Sequence, residues 1–188
     1  AHAADGYARA TGKVGVCIAT SGPGSTNLVT GLATAYMDSI PVVAITGNVS
    51  ADLLGKDSFQ EVDIMGVTMP ITKHNYQIQK VEKISDVFRE AFAFARSGRP
   101  GPVLIDVTSD IFTQTCEYTP PEGPLEIPCK LSDIPMEEIR KLVSKAERPV
   151  ILAGGGVVLS GAEDELFELA ERIDAPVACS LMAVGSFP

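Results

Sequence analysis

Short apolar runs alternate with stretches of helical periodicity along most of the chain. Continuous apolar runs of strand length occupy residues 14–20, 42–47 and 102–107. Between them, residues 25–38 and 81–96 carry apolar side chains at three- and four-residue spacing, as amphipathic helices do. Continuous apolar strands that alternate with helices are typical of a parallel sheet covered by helices on both faces. The pattern therefore predicts an α/β fold.

A proline-rich segment divides the chain into two parts. Five of the 13 prolines fall within residues 115–135, namely Pro120, Pro121, Pro124, Pro128 and Pro135. This composition is typical of an extended linker. After it, helical and strand-like segments alternate again. The sequence therefore predicts a first domain at 1–114, a linker at 115–135 and the start of a second α/β domain at 136–188.

The sequence starts within a predicted helix and stops just after a predicted strand. The first segment, AHAADGYARATG, has helical character without a preceding N-cap, and Gly12 supplies a stop signal. The last segment, LMAVGSFP, follows directly on a strand-like run. We therefore expect the sequence to begin and end within a longer protein.

A long irregular segment follows the second predicted strand. Residues 47–73 show a short helical stretch only around 62–67, and long loops in compact domains are often functional. The loop carries Phe59 and Gln60 among three acids, which are Asp57, Glu61 and Asp63. Paired acids can perform acid–base chemistry. In a chain this acidic, however, the favoured interpretation is that these are solvated loop acids.

Composition argues against several classes of function. The 188-residue chain has a net charge of -9 and a pI near 4.7, so it lacks the basic field that binds nucleic acid or anionic membranes. No apolar run reaches the roughly 18 residues of a membrane helix, and no signal-peptide pattern is present. The four cysteines form no CxxC pair, which argues against zinc. Because Cys17 and Cys179 lie in apolar runs, we expect buried, reduced thiols.

The most informative motif is the turn SGPGSTN at residues 21–27. An apolar strand runs into it, and the polar residues 25–27 stand where a helix begins. Gly22 and Gly24 allow close backbone approach, and a helix start presents unpaired N–H groups. The turn therefore binds an anion, packs against a flat ring, or is simply a tight connection. It matches neither a Walker loop nor a dinucleotide fingerprint.

Two further motifs leave alternatives open. The glycine run at 154–156 follows a strand and precedes a helix, so it is either a phosphate contact or a common α/β turn. Arg99 lies in GRPGPV between a helix and a strand, either as a rigidly held cation for a carboxylate or phosphate, or as a surface turn residue. The two histidines are isolated, and no serine stands in a GxSxG elbow, so the sequence predicts no hydrolase triad and no metal ligands.

Longer strings carry a family resemblance. The segments AADGYARATGKVGVCIATSGPGSTNLVTGLATAYMDSIPVVAITG, FQEVDIMGVTMPITKHN and SGRPGPVLIDV resemble the pyrimidine-binding domain of acetolactate synthase (acetohydroxyacid synthase) large subunits. AERPVILAGGGV resembles the start of the central domain in that family. The resemblance covers essentially the whole chain, and its motifs are long and specific. It implies an α/β pyrimidine-binding domain followed by part of an α/β central domain.

The resemblance also implies a function. In this family two pyruvates, or pyruvate and 2-oxobutyrate, condense with loss of carbon dioxide during branched-chain amino-acid biosynthesis. The implied cofactors are thiamine diphosphate, Mg2+ and FAD. The catalytic glutamate of the family would precede Ala1, and the domain that holds the diphosphate and Mg2+ would follow this chain, so the isolated chain is expected to be inactive.

The same resemblance implies partners and a location. The partners are 2-oxo acid substrates, further copies in a homo-dimer or tetramer, and a possible small regulatory subunit, without nucleic acid or membrane. The implied location is the cytoplasm, or a plastid in a plant.

The family's site residues carry over position by position. The residues that match its thiamine diphosphate contacts are Pro23, Gly24 and Asn27. Phe59 and Gln60 match residues that line the substrate channel at a subunit interface, and Arg99 matches a contact to FAD. No metal ligand is implied within this sequence.

Three positions depart from the family pattern. Asn48 stands in place of Gln, Lys56 in place of Thr, and Thr108–Ser109 in place of Pro-Lys. These departures leave FAD binding open, and the lost lysine at Ser109 leaves the substrate open. Other thiamine-diphosphate carboligases, glyoxylate carboligase-like or sulfoacetaldehyde acetyltransferase-like, therefore remain alternatives. A non-catalytic nucleotide-binding module and a purely structural domain are alternatives of other classes.

Overall fold

A computed structural model describes residues 1–120, 123, 125, 127 and 134–188. It forms two compact units, Ala1–Cys129 and Lys130–Pro188. The division falls inside the segment 115–135 for which the sequence predicts a linker. The linker prolines Pro121, Pro124 and Pro128, and Cys129 with them, lie outside the described residues.

Four parallel strands form the sheet of the first unit. They are β1 (Gly15–Ala19), β2 (Val42–Asn48), β3 (His74–Ile78) and β4 (Val103–Thr108), in the spatial order β1-β2-β4-β3. All three pairings are parallel, so the predicted fold class is confirmed. Three strands follow the predicted apolar runs. The pattern does not predict β3, because its sequence HNYQI is mostly polar, as an edge strand tolerates.

Helices pack on both faces of this sheet. The helices of the first unit are α1 (His2–Thr11), α2 (Pro23–Thr26), α3 (Val29–Met37), α4 (Ile64–Thr68) and α5 (Ile84–Arg96). The core on one face joins α1, α3 and α4 to β2 and β4, and the core on the other face joins α5 to the same strands. The helix predicted at 25–38 is interrupted at residues 27–28 and starts earlier, at Pro23, whose fixed φ suits a first helical position.

Strand β2 shows how the two cores are separated. Val42 and Ala44 belong to the core beneath α1 and α3, whereas Val43 belongs to the core beneath α5. Successive side chains of a strand point to opposite faces, so a continuous apolar run supplies both cores at once. β1 is the exception, because Val16 and Ile18 remain 44% and 74% exposed on the face that α5 covers elsewhere.

The second unit is a smaller α/β arrangement. Its elements are α6 (Met136–Lys145), β5 (Ile151–Ala153), α7 (Gly155–Ser160), α8 (Glu163–Ile173) and β6 (Val177–Cys179), with β5 and β6 parallel. A Cβ atom at Gly155 would lie 2.9 Å from the Cβ of Met182. Close packing thus explains one glycine of the run at 154–156. The predicted start of a second α/β domain is confirmed.

The cysteines differ from the prediction that they are buried. Cys17 is half-buried, and burial raises the pKa of its thiol. Cys179 and Cys116 are exposed. The prediction is wrong for Cys179, because a sheet of two strands leaves the end of β6 open to solvent. Among the described residues, no helix is long and apolar enough to cross a membrane.

Gly15 sets how closely α1 approaches the sheet. A Cβ atom at Gly15 would collide with the carbonyl group of Ala4 in α1, only 2.7 Å from its carbon. We expect Gly15→Ala to destabilise the protein by about 1–3 kcal/mol, because the helix must move off β1 to make room. Denaturant unfolding followed by circular dichroism measures this change.

Gly6→Ala is the matched control. Gly6 lies within α1, and a Cβ atom there would have nothing within 4 Å. The control should stabilise the protein by up to about 1 kcal/mol through helix propensity. Equal unfolding midpoints for the two variants would contradict close packing at Gly15.

Candidate functional site

The carboxyl ends of β1, β2 and β4 lie at one edge of the sheet, where ligands of parallel α/β proteins usually bind. The turn 21–27 follows β1, the loop 49–63 follows β2, and a short 3-10 helix, Ser109–Thr113, follows β4. Because these strands are parallel neighbours, their following segments are all expected at this edge. The sequence-predicted residues Pro23 and Gln60 both belong to it.

A direct contact joins the first two of these segments. Gly22 has φ 57°, and a Cβ atom there would lie 2.7 Å from the carbonyl oxygen and 2.9 Å from the Cβ of Gln60. Any side chain at position 22 would therefore push Gln60 away. Two groups of residues that the sequence predicts separately are thus brought together, with a glycine between them.

The turn after β1 uses most of its own hydrogen-bond donors. The N–H of Gly24 donates to the Ser21 carbonyl over 3.2 Å, and the N–H of Thr26 donates to the Gly22 carbonyl over 3.0 Å. The buried Ser25 hydroxyl donates to the same Gly22 carbonyl over 2.8 Å. An anion would need these donors free, so the geometry argues against a phosphate cradle at this turn.

What the turn presents outward is a ring and an amide. Pro23 and Asn27 are both exposed. Within the described part of the chain, the Asn27 side chain has no hydrogen-bond partner, so its amide is available to donate and to accept. An apolar ring beside a free amide suits a flat heteroaromatic ligand, one of the alternatives that the sequence leaves open. A Cβ atom at Gly24 would lie 2.6 Å from the methyl carbon of Thr20, so close packing requires a glycine here. The predicted contact of Gly24 with thiamine diphosphate stays a prediction.

The loop after β2 presents Phe59 and Gln60 to solvent. Phe59 is 88% exposed, which is unusual for a large apolar side chain. Gln60 is also exposed and has a left-handed backbone with φ 57°. Both residues lie where a molecule at the carboxyl edge could reach them.

The three acids of this loop differ in their hydrogen bonding. The carboxylate of Glu61 accepts the backbone N–H groups of Gly55 and Ser58, which lower its pKa. Asp63 caps α4 by accepting the N–H of Gly66 over 2.9 Å. Asp57 is exposed and makes no hydrogen bond among the described residues. The interpretation of all three as merely solvated acids is therefore incomplete, and no pair of them is arranged for acid–base chemistry.

Ser109 is the first residue after β4, and its side chain is exposed. Its N–H donates to the Val49 carbonyl over 3.4 Å, and the neighbouring Asp110 carboxylate accepts the N–H of Ala51 over 3.0 Å. The neighbouring Thr108 side chain and this N–H lower the pKa of Asp110. The departure at Ser109 therefore stands at the carboxyl edge, tied to the start of the loop after β2.

Arg99 lies at the opposite edge, before the start of β4. Its Nε donates to the Ser39 hydroxyl over 2.7 Å, and its Nη2 donates to the Met37 carbonyl over 3.2 Å. A cation that caps the carbonyl end of α3 is favoured by the helix dipole. The structure thus separates Arg99 from the residues at the carboxyl edge, and leaves an exposed guanidinium with further N–H groups.

A buried polar network was missed by the sequence reasoning. Asp106 is 0% exposed in β4, and it accepts hydrogen bonds from Thr46 over 2.7 Å, Asn48 over 2.6 Å and Gln77 over 3.2 Å. The strand register places Thr46 and Gln77 directly beside Asp106. Asp106 inside the apolar run PVLIDV could have indicated this network, because a buried carboxylate requires hydrogen-bond donors. The departure at Asn48 therefore lies inside the sheet, whereas Lys56 is exposed.

The described residues contain no group of three histidine, cysteine, aspartate or glutamate side chains that could hold a metal ion. The Mg2+ that the resemblance implies is expected outside this sequence. It stays a prediction.

Comparison with known proteins assigns both units. Residues 1–67 match the thiamine pyrophosphate enzyme, N-terminal TPP binding domain, and residues 136–188 match the thiamine pyrophosphate enzyme, central domain. The chain belongs to the thiamine pyrophosphate enzyme family. Thiamine pyrophosphate is the same compound as thiamine diphosphate. The N-terminal match includes the turn 21–27 and Gln60, whereas Arg99 and Ser109 lie outside both matches.

Three relatives illustrate what this thiamine pyrophosphate enzyme chain is similar to. A probable acetolactate synthase large subunit of Methanocaldococcus jannaschii is 53% identical over 200 residues, covering 100% of this chain and 33% of the relative. Acetolactate synthases of Arthrospira platensis and Mycobacterium bovis are 50% and 52% identical, over 100% of this chain and 33% and 31% of their own lengths. The chain therefore spans about a third of the length of these relatives.

Gly22→Ala tests the contact at the centre of the candidate site. We expect a loss of about 1–3 kcal/mol beyond that of Gly55→Ala, because both glycines have positive φ but only Gly22 is crowded by Gln60. Denaturant unfolding of the two variants gives the comparison. If Gly22→Ala costs no more than Gly55→Ala, the turn and the loop do not touch as described.

Proposed function

We propose that the protein to which these residues belong is an acetolactate synthase. It condenses two 2-oxo acids, pyruvate with pyruvate or with 2-oxobutyrate, and releases carbon dioxide. The observation that carries the proposal is the contact of Gly22 with Gln60. It brings the turn after β1, which we assign to the cofactor ring, together with the loop after β2, which we assign to the substrate. Whole-chain identity of about half to relatives named acetolactate synthase supports the same assignment.

The residues of the turn fit the pyrimidine half of thiamine diphosphate. Pro23 offers an apolar surface for the face of the ring, and the free amide of Asn27 offers hydrogen bonds to its edge. When bound, thiamine diphosphate supplies the nucleophilic carbon and the electron sink of the reaction. The turn uses its own N–H groups internally, so we infer that the diphosphate and its Mg2+ are held elsewhere in the protein.

Phe59 and Gln60 would act on the substrate side. An exposed Phe59 can be covered by a second subunit and then exclude water from the reacting carbons. The neutral amide of Gln60 can donate to the carbonyl or carboxylate oxygens of a 2-oxo acid and orient it. This division of roles implies a homo-oligomer with the site at a subunit interface. A regulatory subunit and a cytoplasmic or plastid location belong to the same proposal.

A second candidate rests on Ser109. An exposed serine at the carboxyl edge offers only a neutral hydrogen bond where the family pattern has a lysine, which would attract a carboxylate. A substrate other than two 2-oxo acids is therefore the alternative, as in a glyoxylate carboligase-like or sulfoacetaldehyde acetyltransferase-like enzyme.

Ser109→Lys and Gln60→Ala decide between these substrates in the full-length protein. We expect Ser109→Lys to lower the KM for pyruvate, because a cation at the carboxyl edge attracts 2-oxo acids. Gln60→Ala should impair capture of the second 2-oxo acid more than the first decarboxylation. Steady-state kinetics with pyruvate alone, and with 2-oxobutyrate competing, measure both effects.

Thr115→Lys is the control for the added charge. Thr115 is exposed just after the 3-10 helix Ser109–Thr113, which begins with Ser109. Its kinetics should match those of the parent. An unchanged KM in Ser109→Lys, together with equal slowing of both steps in Gln60→Ala, would favour the second candidate. Acetolactate formation by the parent is the direct test of the proposal.

FAD is the remaining proposed cofactor, with Arg99 as its contact. The guanidinium is fixed by Ser39 and Met37 and keeps exposed N–H groups that suit a nucleotide phosphate or carbonyl. Arg99→Ala in the full-length protein should weaken FAD binding roughly tenfold or more, through loss of a charge-assisted contact. Flavin fluorescence titration measures the affinity. Arg96→Ala removes an exposed arginine at the end of α5 and should leave it unchanged.

A further inference from the structure

The loop after β2 is folded around one carboxylate. Glu61 accepts the N–H of Gly55 with one oxygen and the N–H of Ser58, 3.0 Å away, with the other. The Ser58 hydroxyl in turn donates to the Leu53 carbonyl over 3.1 Å. A single side chain thereby closes residues 55–61 into a compact turn.

Gln60, the residue immediately before Glu61, has an unfavourable backbone conformation. A left-handed φ of 57° is costly for a residue with a side chain and persists only where the surroundings enforce it. The N–H of Glu61 donates to the Ser58 carbonyl over 3.0 Å, so the backbone on the carboxyl side of Gln60 is fixed. The carbonyl oxygen and the Cα of Gln60 also pack against Gly22. Gln60 is therefore held between the Glu61 closure and the turn after β1.

We propose that Glu61 is a positioning residue, which fixes the backbone of Gln60 and so the direction of its amide towards the second 2-oxo acid. Glu61 itself touches neither substrate nor cofactor, because both of its oxygens face backbone donors of its own loop. The inference rests on the proposed function, in which Gln60 meets the substrate. It assigns a task to an acid that the sequence alone does not distinguish from Asp57 and Asp63.

The chemistry of the closure requires a carboxylate of this length. Two donors meet two acceptor oxygens, and a glutamine would present its NH2 group to one of them, donor against donor. Aspartate keeps both oxygens and the charge but is one methylene shorter. The backbone N–H groups, that of Gly55 first, lower the pKa of Glu61, so the group is ionised at neutral pH.

Neighbouring acids do not share this role. Asp110 accepts the N–H of Ala51, at the start of the loop and away from Gln60. Asp57 stands in the same loop as Glu61, also with positive φ, yet it makes no hydrogen bond within the described ranges. Asp57→Asn is therefore a matched control that removes one negative charge from the loop without opening the closure.

The experiment compares Glu61→Gln, Glu61→Asp and Asp57→Asn in the full-length protein. Hydrogen–deuterium exchange of peptides covering residues 53–62 reports the closure, and thermal unfolding reports overall stability. The yields of 2-acetolactate and 2-aceto-2-hydroxybutyrate from mixed 2-oxo acids report how the second substrate is captured. Carbon dioxide release in a single turnover, with enzyme in excess over pyruvate, reports the first step.

We expect Glu61→Gln to speed exchange of the loop about tenfold, at an unchanged unfolding temperature, since the closure is local. The KM for the second 2-oxo acid should rise roughly threefold or more, while the first decarboxylation keeps its rate. Glu61→Asp should recover part of both effects, and Asp57→Asn should match the parent.

Parent-like exchange in Glu61→Gln, or equal effects in Asp57→Asn, would overturn the inference. So would a joint fall of unfolding temperature and of both catalytic steps, which is the sign of a merely structural role. A parent protein that forms no acetolactate would instead refute the proposed function. The closure by Glu61 would then be judged by exchange alone, so the two failures are distinguishable.

Discussion

The close approach of Gly22 to Gln60 is the constraint on which the candidate site depends. The turn after β1 and the loop after β2 come from neighbouring parallel strands, so both start at the same edge of the sheet. They can touch only because residue 22 has no side chain and adopts a positive φ. The Glu61 closure fixes the fold of the loop itself. The surface that bears Pro23, Asn27 and Gln60 is therefore fixed by backbone packing rather than by side-chain contacts between these residues.

Hydrogen bonding within each segment decides what remains for a ligand. The turn after β1 uses its N–H groups and the Ser25 hydroxyl internally, so it presents a ring and an amide rather than an anion site. In the middle of the sheet, Asp106 is satisfied by three side-chain donors and is closed to solvent. A thiamine pyrophosphate enzyme that divides its cofactor between domains would need this kind of turn on the pyrimidine side. The diphosphate would then be bound by groups outside this turn.

The residues proposed for different ligands lie at opposite edges of the sheet. Residues proposed for thiamine diphosphate and substrate lie at the carboxyl edge, as does the departure at Ser109. Arg99 lies at the amino edge, where it caps α3 through Met37 and Ser39. Arg99, the proposed flavin contact, therefore lies at the opposite edge from the residues proposed for thiamine diphosphate and substrate.

The sequence by itself determined the parallel α/β class, three of the four strands of the first unit, the helix stop at Gly12 and the family, because apolar periodicity and long motifs are local properties of the chain. Through the family resemblance it also named the candidate site residues, which are Pro23, Gly24, Asn27, Phe59, Gln60 and Arg99. It did not predict β3, because polar residues are tolerated in an edge strand, and it did not predict the proposed role of Glu61 among three similar acids. Only the tertiary structure brought Gly22 against Gln60, placed Arg99 at the far edge and surrounded Asp106 with donors. Each of these depends on residues distant in sequence, whose meeting is decided by strand order and register rather than by local pattern.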